Sequence, residues 1–277
     1  MNSLGPENNL LLDCDSDDSP NMNGTFKLGC WAVLCLALSG RLIAQPATNV
    51  SSPSLQPPAT PLRPPEAPLS SQTLARINQM TSLFDSKTLD GWIQVPENSW
   101  TVKDGTISSL GLGRGVIYTK GEFGNFRLIF SLRHLGGPPQ DHQAGVLIFC
   151  TAPENGQKGL DALGAIQFQP PKGWSWDYRP GKNNSGRGLF TKPANVGFDP
   201  KEWFQVELLV NAEKGTARMA VAQPVGCKAI EVVQFNDLTA GKKGPIAWQM
   251  HNKGLFDDYK DVQIEVDPKE DRLITVE

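Results

Sequence analysis

Short runs of alternating apolar and polar residues fill the chain from residue 82 onward, and they limit its possible folds more than any other feature. Successive side chains of a β-strand point to opposite faces, so such a run indicates a strand with one buried face. Residues that favour turns separate the runs, and no convincing helical pattern lies between them. The runs are NFRLIFSLR (125–133), AGVLIFC (144–150), WFQVELLV (203–210), GTARMAVA (215–222), AIEVVQF (229–235), GPIAWQMH (244–251) and YKDVQIEV (259–266).

This pattern predicts the fold class. The chain holds 27 Gly and 22 Pro among 277 residues, and many short strands joined by such turn residues are typical of an antiparallel sandwich. SWTVKDGTISSL (99–110) is predicted to form a hairpin, because Asp104-Gly105 separates two β-type runs. AGVLIFC is apolar on both faces and is predicted to be a central strand. We therefore predict one all-β domain over residues 82–267 and a C-terminal tail over residues 268–277.

The N-terminal part of the chain has a different composition. FKLGCWAVLCLALSG (26–40) is an apolar run of the length found in secretory signal peptides, so residues 1–45 are predicted to be a signal-peptide region whose true start is Met22. The alternative is a signal anchor that stays in the membrane. Residues 46–81 are rich in Pro and predict a disordered linker that ends in a short helix. The protein is therefore expected to be secreted or extracytoplasmic, without a stable membrane span after signal cleavage.

The charge of the chain is unevenly placed. The formal net charge is −3, and it arises entirely from the first 45 residues, which hold five acidic and two basic side chains. The remaining chain is therefore neutral and lacks the basic surface that nucleic acids and anionic membranes require. Nucleic acid is not expected as a partner, and a neutral small molecule such as a carbohydrate fits this charge better.

Cysteine and histidine give little sign of a metal or a cofactor. Cys150 and Cys227 are the two cysteines of the predicted domain, and two alternatives are open: a disulfide or two buried thiols. No Cys-x-x-Cys pattern occurs, which argues against a cysteine-based zinc site. His134 and His142 flank a Gly-Pro segment and are expected to be exposed loop histidines. We expect no cofactor, and a divalent metal stays an alternative that no motif supports.

Two predicted strands carry an unusual polar face. In GPIAWQMH, Ile246, Trp248 and Met250 alternate toward the core, while ALGAIQFQP (162–170) alternates in the same way. The opposite face of both strands carries amides and an imidazole, and neutral amides can donate to and accept from sugar hydroxyls. The alternative is a solvated sheet face with ordinary cross-strand pairs. The side chains of this face are Gln167, Gln169, Gln249 and His251.

A second candidate region is aromatic. PPKGWSWDYRPGKNNSGRGLF (170–190) is bounded by Pro and Gly and predicts a loop whose aromatic residues alternate. Aromatic side chains with charged neighbours in a loop are typical of a wall that contacts a ligand. The alternative is a loop held in place by burying its own tryptophans. The candidate ligand contacts are Trp174, Trp176, Asp177, Tyr178 and Arg187.

Five segments, in this order, resemble one family. They are LFDSKTLDGWIQ (83–94), SWTVKDGTIS (99–108), YTKGEFGNFRLIFSLR (118–133), GPIAWQMHNKG (244–254) and YKDVQIEV (259–266). Together they resemble the 3-keto-disaccharide hydrolase domain over residues 82–267. The resemblance implies a concanavalin A-like jelly roll and the hydrolysis of glycosides whose sugar carries a ketone at C3.

The resemblance also implies a mechanism and its residues. A C3 ketone acidifies the proton on C2, so a general base can remove it, the enolate can expel the group on C1, and water can add afterwards. This chemistry needs one base and donors at the enolate oxygen, rather than the two carboxylates of ordinary glycosidases. The implied base is His251 and the implied donors are Gln249 and Gln167, with Arg187 or Asp177 completing the site.

The chain departs from the family pattern at several positions. Ala165 and Pro170 stand where members often carry acids around the residue that matches Gln167. Gln143, with Ala144 and Gly145, stands in place of the usual Asn-Ser-Gly. Gln143, and Gln169 of the polar face, are further expected substrate contacts. The alternative function is a non-catalytic carbohydrate-binding sandwich, and a third is a structural interaction domain.

Overall fold

The structure is a computed structural model, and it describes residues 67–137, 145–152, 162–182, 188–191 and 194–276. The predicted signal peptide, most of the predicted linker, His142, and the candidate site residues Gln143 and Arg187 lie outside the described residues. Those that are described all belong to one unit, Pro53–Glu277. No helix among them has the length and the apolar character needed to span a membrane.

Almost all regular structure in the described residues is β. The elements in chain order are α1 (Ser71–Asn78), β1 (Thr81–Ser82), β2 (Trp92–Val95), β3 (Trp100–Lys103), β4 (Thr106–Ser109), β5 (Gly115–Thr119), β6 (Phe126–Gly136), β7 (Gly145–Ile148), β8 (Ile166–Gln169), β9 (Trp174–Asp177), β10 (Phe190–Thr191), β11 (Phe204–Asn211), β12 (Thr216–Ala222), β13 (Ile230–Asn236), a 3-10 turn (Leu238–Ala240), β14 (Ala247–Met250) and β15 (Phe256–Val266).

These strands form two antiparallel sheets within the described residues. The larger, of nine strands, has the order β10-β13-β12-β11-β6-β15-β4-β3, with β1 added to β15, and the smaller, of six strands, has the order β2-β5-β14-β7-β8-β9. Neighbours such as β5 and β14 are far apart in the chain, as in Greek-key sandwiches. The predicted all-β sandwich is confirmed, and β7 is the predicted central strand.

The core between the sheets follows the predicted alternation. Ile246, Trp248 and Met250 are almost completely buried in it. The Trp248 ring stacks on Trp92 of its own sheet, with centroids 4.6 Å apart, and on Tyr259 of the larger sheet, with centroids 4.2 Å apart. Because Trp248 joins the two sheets, the intervening residues of β14 must point away from the larger sheet.

The predicted hairpin is also present. Strands β3 and β4 pair directly across Asp104-Gly105, whose φ angles of 50° and 73° are both positive. A two-residue turn with both φ angles positive matches the twist of the strands it joins, and Asp-Gly is a favoured pair for it.

Segments on both sides of residues 82–267 pack onto the larger sheet. The helix α1 contributes Ile77 to an apolar cluster with Ile129 and Ile274. The buried Glu207 carboxylate accepts the backbone N–H groups of Ile274, at 2.9 Å, and Thr275, at 2.8 Å. The described fold therefore includes the predicted short helix and most of the predicted C-terminal tail.

The two cysteines of the domain are buried thiols and are not joined to each other. Cys150 packs with Tyr118, Leu147 and Ala247. Burial raises the pKa of the Cys150 thiol well above its usual range, because a thiolate loses solvation in an apolar site. Of the two alternatives left by the sequence, the structure has the thiols.

Candidate functional site

The candidate site is the side of the six-stranded sheet that faces away from the larger sheet, here called the outer face. Residues directly opposite each other on paired strands share a face. Gln167 lies opposite Trp176, and Gln169 lies opposite Trp174. Gln249 points to the same side from β14, because its neighbours Trp248 and Met250 are in the core. The two predicted polar strands and the predicted aromatic segment therefore meet on one face.

The glutamines of the outer face are hydrogen-bonded to one another. The Gln167 amide N–H donates to the Gln249 carbonyl, and Gln169 Nε2 donates to Gln167 Oε1 at 3.1 Å. Both Gln167 and Gln249 are only 1% exposed. These two side chains therefore hold β8 and β14 together across β7 before any ligand is considered.

Gly145 makes this amide contact possible. Strand β7 lies between β14 and β8, and Gly145 is opposite Gln249. A Cβ at Gly145 would lie 2.7 Å from Gln167 Nε2 and 2.8 Å from Gln249 Oε1, closer than van der Waals contact allows. The two amides meet in the space that a side chain at Gly145 would occupy.

The other half of the outer face is apolar. Its members form a second, smaller cluster in which burial raises the pKa of the Tyr118 hydroxyl. Ala165, the position at which the resemblance implies an acid, is fully buried in this cluster. A carboxylate there would lose its solvation among apolar neighbours. The cluster is centred on Val116, Tyr118, Leu147, Ala165 and Ala247.

Part of the aromatic segment predicted as a loop is the edge strand β9, Trp174–Asp177. Trp174 is half-buried, and Lys172 Nζ lies 4.2 Å from its ring centroid. Trp176 is 36% exposed, and its ring centroid lies 6.1 Å from that of Tyr178. The aromatic ring of the outer face that is most open to a ligand is therefore Trp176.

Asp177 points to the other side of β9 from Trp176 and is fully buried. Arg179 Nη2 donates to Asp177 at 2.7 Å and to Asp237 at 2.6 Å. The Arg179 guanidinium, followed by Thr239 as a further donor, lowers the pKa of Asp237 to about 2. Asp177 and Arg179 therefore anchor the aromatic strand to the 3-10 turn, and Asp177 is not part of the outer face.

His251 follows β14 directly and is half-buried. Arg114 Nη2 lies 3.5 Å from His251 Nδ1, because β5, which Arg114 precedes, pairs with β14 so that Gly115 is opposite Met250. Residues 110–114 connect β4 to β5 and bring a guanidinium to the predicted base. The sequence gives no direct signal for this contact, which depends on the pairing of strands far apart in the chain.

His134 is not the exposed loop residue that the sequence predicted. Strand β6 continues to Gly136, and pairing with β15 places His134 opposite Asp257. His134 Nδ1 lies 2.5 Å from Asp257 Oδ1, and burial raises the pKa of Asp257. The second oxygen of this carboxylate, Oδ2, is buried without a hydrogen-bond partner. The prediction was wrong because β6 continues to Gly136, three residues beyond the predicted end at Arg133.

In the described residues, groups of three or more His, Cys, Asp or Glu side chains in an arrangement that could hold a metal ion do not occur.

Comparison with known proteins agrees with the sequence resemblance. The model of the 3-keto-alpha-glucoside-1,2-lyase-like domain family matches residues 79–265. None of the curated proteins matches the chain at a significant level.

Three solved structures are similar. One is a candidate glycosyl hydrolase from Parabacteroides distasonis, with 17% identity over 68% of this chain and 100% of that chain and a TM-score of 0.46. The carbohydrate-binding module CBM66 from Bacillus subtilis has 11% identity over 68% of this chain and 97% of that chain, with a TM-score of 0.45. Lectin I-B4 from Griffonia simplicifolia has 11% identity over 67% of this chain and 97% of that chain, with a TM-score of 0.45.

Proposed function

The chain belongs to the 3-keto-alpha-glucoside-1,2-lyase-like domain family, and from this premise we propose that it cleaves 3-keto glycosides by elimination across C1 and C2. Family membership supports a carbohydrate-related function. The apolar segment 26–40 supports an extracytoplasmic place of action.

The proposed reaction has two steps. A base takes the proton from C2, and the electron pair left behind is delocalised onto O3 as an enolate. When the C3 carbonyl re-forms, the pair moves between C2 and C1, and the aglycone leaves C1 with the electrons of the broken C1–O bond. Water then adds across the new double bond, with its hydroxyl on C1 and its proton on C2. The reaction thus needs a base at C2 and a donor at O3.

The contact between His251 and Arg114 is the observation that carries the proposal. C2 and C3 are bonded neighbours, so the base and the donor must also be neighbours. The guanidinium lies 3.5 Å from the imidazole, at the end of the amide-bearing strand. Arg114 would direct its N–H groups to O3, and the His251 imidazole would accept the C2 proton. Arg114 therefore enters the site as the enolate-stabilising group.

The outer face would hold the sugar. Gln169 is half-buried and Trp176 is exposed, so both can reach a ligand, and sugar rings present apolar C–H faces to aromatic side chains. Gln167 and Gln249 are occupied by each other, so we assign them the supporting role of fixing this face. We assign the direct sugar contacts to Gln169 and Trp176.

The test is cleavage of a 3-keto glucoside with a chromogenic aglycone, compared with its unoxidised parent, using the full chain with and without chelator. We expect aglycone release from the keto sugar alone and a slower rate when C2 carries deuterium. His251→Ala should lower kcat by about 10²- to 10⁴-fold, the usual contribution of a general base. Lys253→Ala, at an exposed position of the same loop, is the control. Equal release from both sugars, or an unchanged rate in His251→Ala, would overturn the proposed mechanism.

A non-catalytic carbohydrate-binding domain is the second candidate function. It is favoured by the apolar environment of Ala165, where members of the family often carry an acid. In that case both the keto sugar and its parent should bind without aglycone release. Titration of tryptophan fluorescence in the wild type and in Trp176→Ala would detect this binding.

A further inference from the structure

Four large apolar side chains are exposed at one end of the sandwich. Leu112 is 62% exposed and Phe256 is 45% exposed, and Leu110 and Leu135 are also exposed. Single exposed apolar residues are common on protein surfaces, but contiguous ones mark contact sites. We call these four residues the apolar shelf.

Close backbone contacts bring the shelf together. Gly111 separates Leu110 from Leu112 in the chain, and the Phe256 ring lies over it. A Cβ on Gly111 would be only 2.8 Å from Phe256 Cε1 and Cζ. Phe256 is also paired with Gly136, the residue after Leu135. Gly254 N–H donates to Gly111 carbonyl at 2.8 Å. The shelf is thus a preformed feature of two glycine-containing segments, 110–114 and 251–256, together with Leu135 near the end of β6.

The same two segments carry the proposed catalytic pair. Residues 110–114 and 251–256 meet at Gly111 and Gly254, and they meet again where Arg114 contacts His251. Arg114 is three residues from Gly111, which is at most about 10 Å of extended chain. The shelf therefore begins within the length of one bound glycoside from the base.

The shelf follows the proposed base along the chain: Gln249 of the outer face precedes His251, and Phe256 of the shelf comes after it. A sugar held against Gln169 and Trp176 with C2 at His251 would direct the group on C1 beyond the end of β14. We propose that the apolar shelf binds an apolar, aryl-type aglycone, so that this chain selects 3-keto glycosides of hydrophobic aglycones over those of sugar aglycones. This inference rests on the proposed function.

The experiment compares two substrates and three variants of the full chain. One 3-keto glucoside carries a phenyl aglycone and the other a glucosyl aglycone, and kcat/KM is measured for both. The variants are Leu112→Ser, Phe256→Ser and, as a matched control, Leu238→Ser, whose leucine is 66% exposed on the 3-10 turn. The first two should lower the phenyl-to-glucosyl ratio about tenfold, because each removes one apolar contact to the aglycone. The control should leave the ratio unchanged.

A binding measurement keeps the inference testable if no turnover occurs. Calorimetry with a non-cleavable phenyl C-glycoside and with the free sugar reports the aglycone contribution without chemistry. If the wild type cleaves neither substrate, the lyase reaction is refuted. If Leu112→Ser then also binds the phenyl glycoside with less preference over the free sugar than the wild type does, the shelf is supported. Turnover with an unaltered phenyl-to-glucosyl ratio in both shelf variants would refute the shelf and leave the lyase reaction standing.

Discussion

Gly145→Ala is the sharpest test of how the outer face is built. Gly145 does not have a positive φ, so its backbone can accept alanine without strain. The added methyl group would instead fall 2.7 Å from Gln167 Nε2 and 2.8 Å from Gln249 Oε1. Both amides are 1% exposed, so water cannot replace their mutual hydrogen bond without further opening of the face. The substitution should therefore separate the glutamines and break the hydrogen bond between them.

The expected cost follows from these contacts. A buried polar group that loses its hydrogen bond costs about 1–3 kcal/mol, and separating the amides breaks the bond between the Gln167 donor and the Gln249 acceptor. Alanine in a strand is favoured over glycine by about 0.5–1 kcal/mol. Since the side chains can relax in part, we expect the free energy of unfolding to fall by about 2–4 kcal/mol.

Chemical denaturation measures this loss, and Gly136→Ala is the matched control. Gly136 is also a strand glycine, but a Cβ there would lie 3.6 Å from Phe256 Cδ2, which is ordinary contact. Gln249→Ala should lower the unfolding free energy less in the Gly145→Ala background than in the wild type, because the amide pair is already broken in that background. Equal stability of Gly145→Ala and Gly136→Ala, or simple additivity in the double variant, would refute the reasoning.

Trp176→Ala should leave the unfolding free energy within about 0.5 kcal/mol and weaken sugar binding up to about tenfold, as measured by fluorescence titration. His134→Ala should destabilise the protein by about 3–5 kcal/mol at neutral pH, because it leaves a buried carboxylate unpaired. An unfolding free energy equal to that of the wild type, measured by chemical denaturation, would contradict this. Burial raises the pKa of Asp257 above its usual 3.8, so its stabilising contribution is complete below that value and is lost as pH rises through the folded-state value. Relative to Asp257→Asn, the wild type should therefore lose stability over that rise, and a constant difference in unfolding free energy across pH would speak against it. Glu207→Gln should cost about 3 kcal/mol and speed amide hydrogen exchange at residues 274 and 275, whose N–H groups the carboxylate now accepts.

Alternation made much of this fold predictable from the sequence. Ile246, Trp248 and Met250 had to share a buried face, because a period of two leaves no other choice for a strand. The same rule placed Gln167 and Gln249 on the opposite side, although it could not show that they bond to each other. That contact depends on Gly145, which acts through a neighbouring strand.

Contacts between distant strands were not predictable. Arg114 reaches His251 only because β5 pairs with β14. His134 meets Asp257 only in the register of β6 with β15, which shifts between Phe256 and Asp257. Such registers are set by packing of the whole sheet rather than by local sequence. The segment WSWD (174–177) also alternates, but it was interpreted as part of a loop. Asp177 was therefore predicted to contact a ligand, whereas its side chain points into the interior.

In the proposed function, the outer face would bind the sugar and the end of β14 would carry the chemistry. Amide, aromatic and apolar side chains line most of the described part of this face, with Lys172 against the Trp174 ring, and Arg114 lies at its end beside His251. An elimination is compatible with this arrangement, because the substrate's own ketone stabilises the developing charge. The protein then has to supply only a base and a donor at one edge of the sugar. Trp176→Ala should then raise KM with little change in kcat, whereas Arg114→Lys, which keeps the charge but loses the planar guanidinium, should mainly lower kcat. If both variants changed kcat and KM in the same proportions, sugar binding and chemistry would have to share a single site on the sheet.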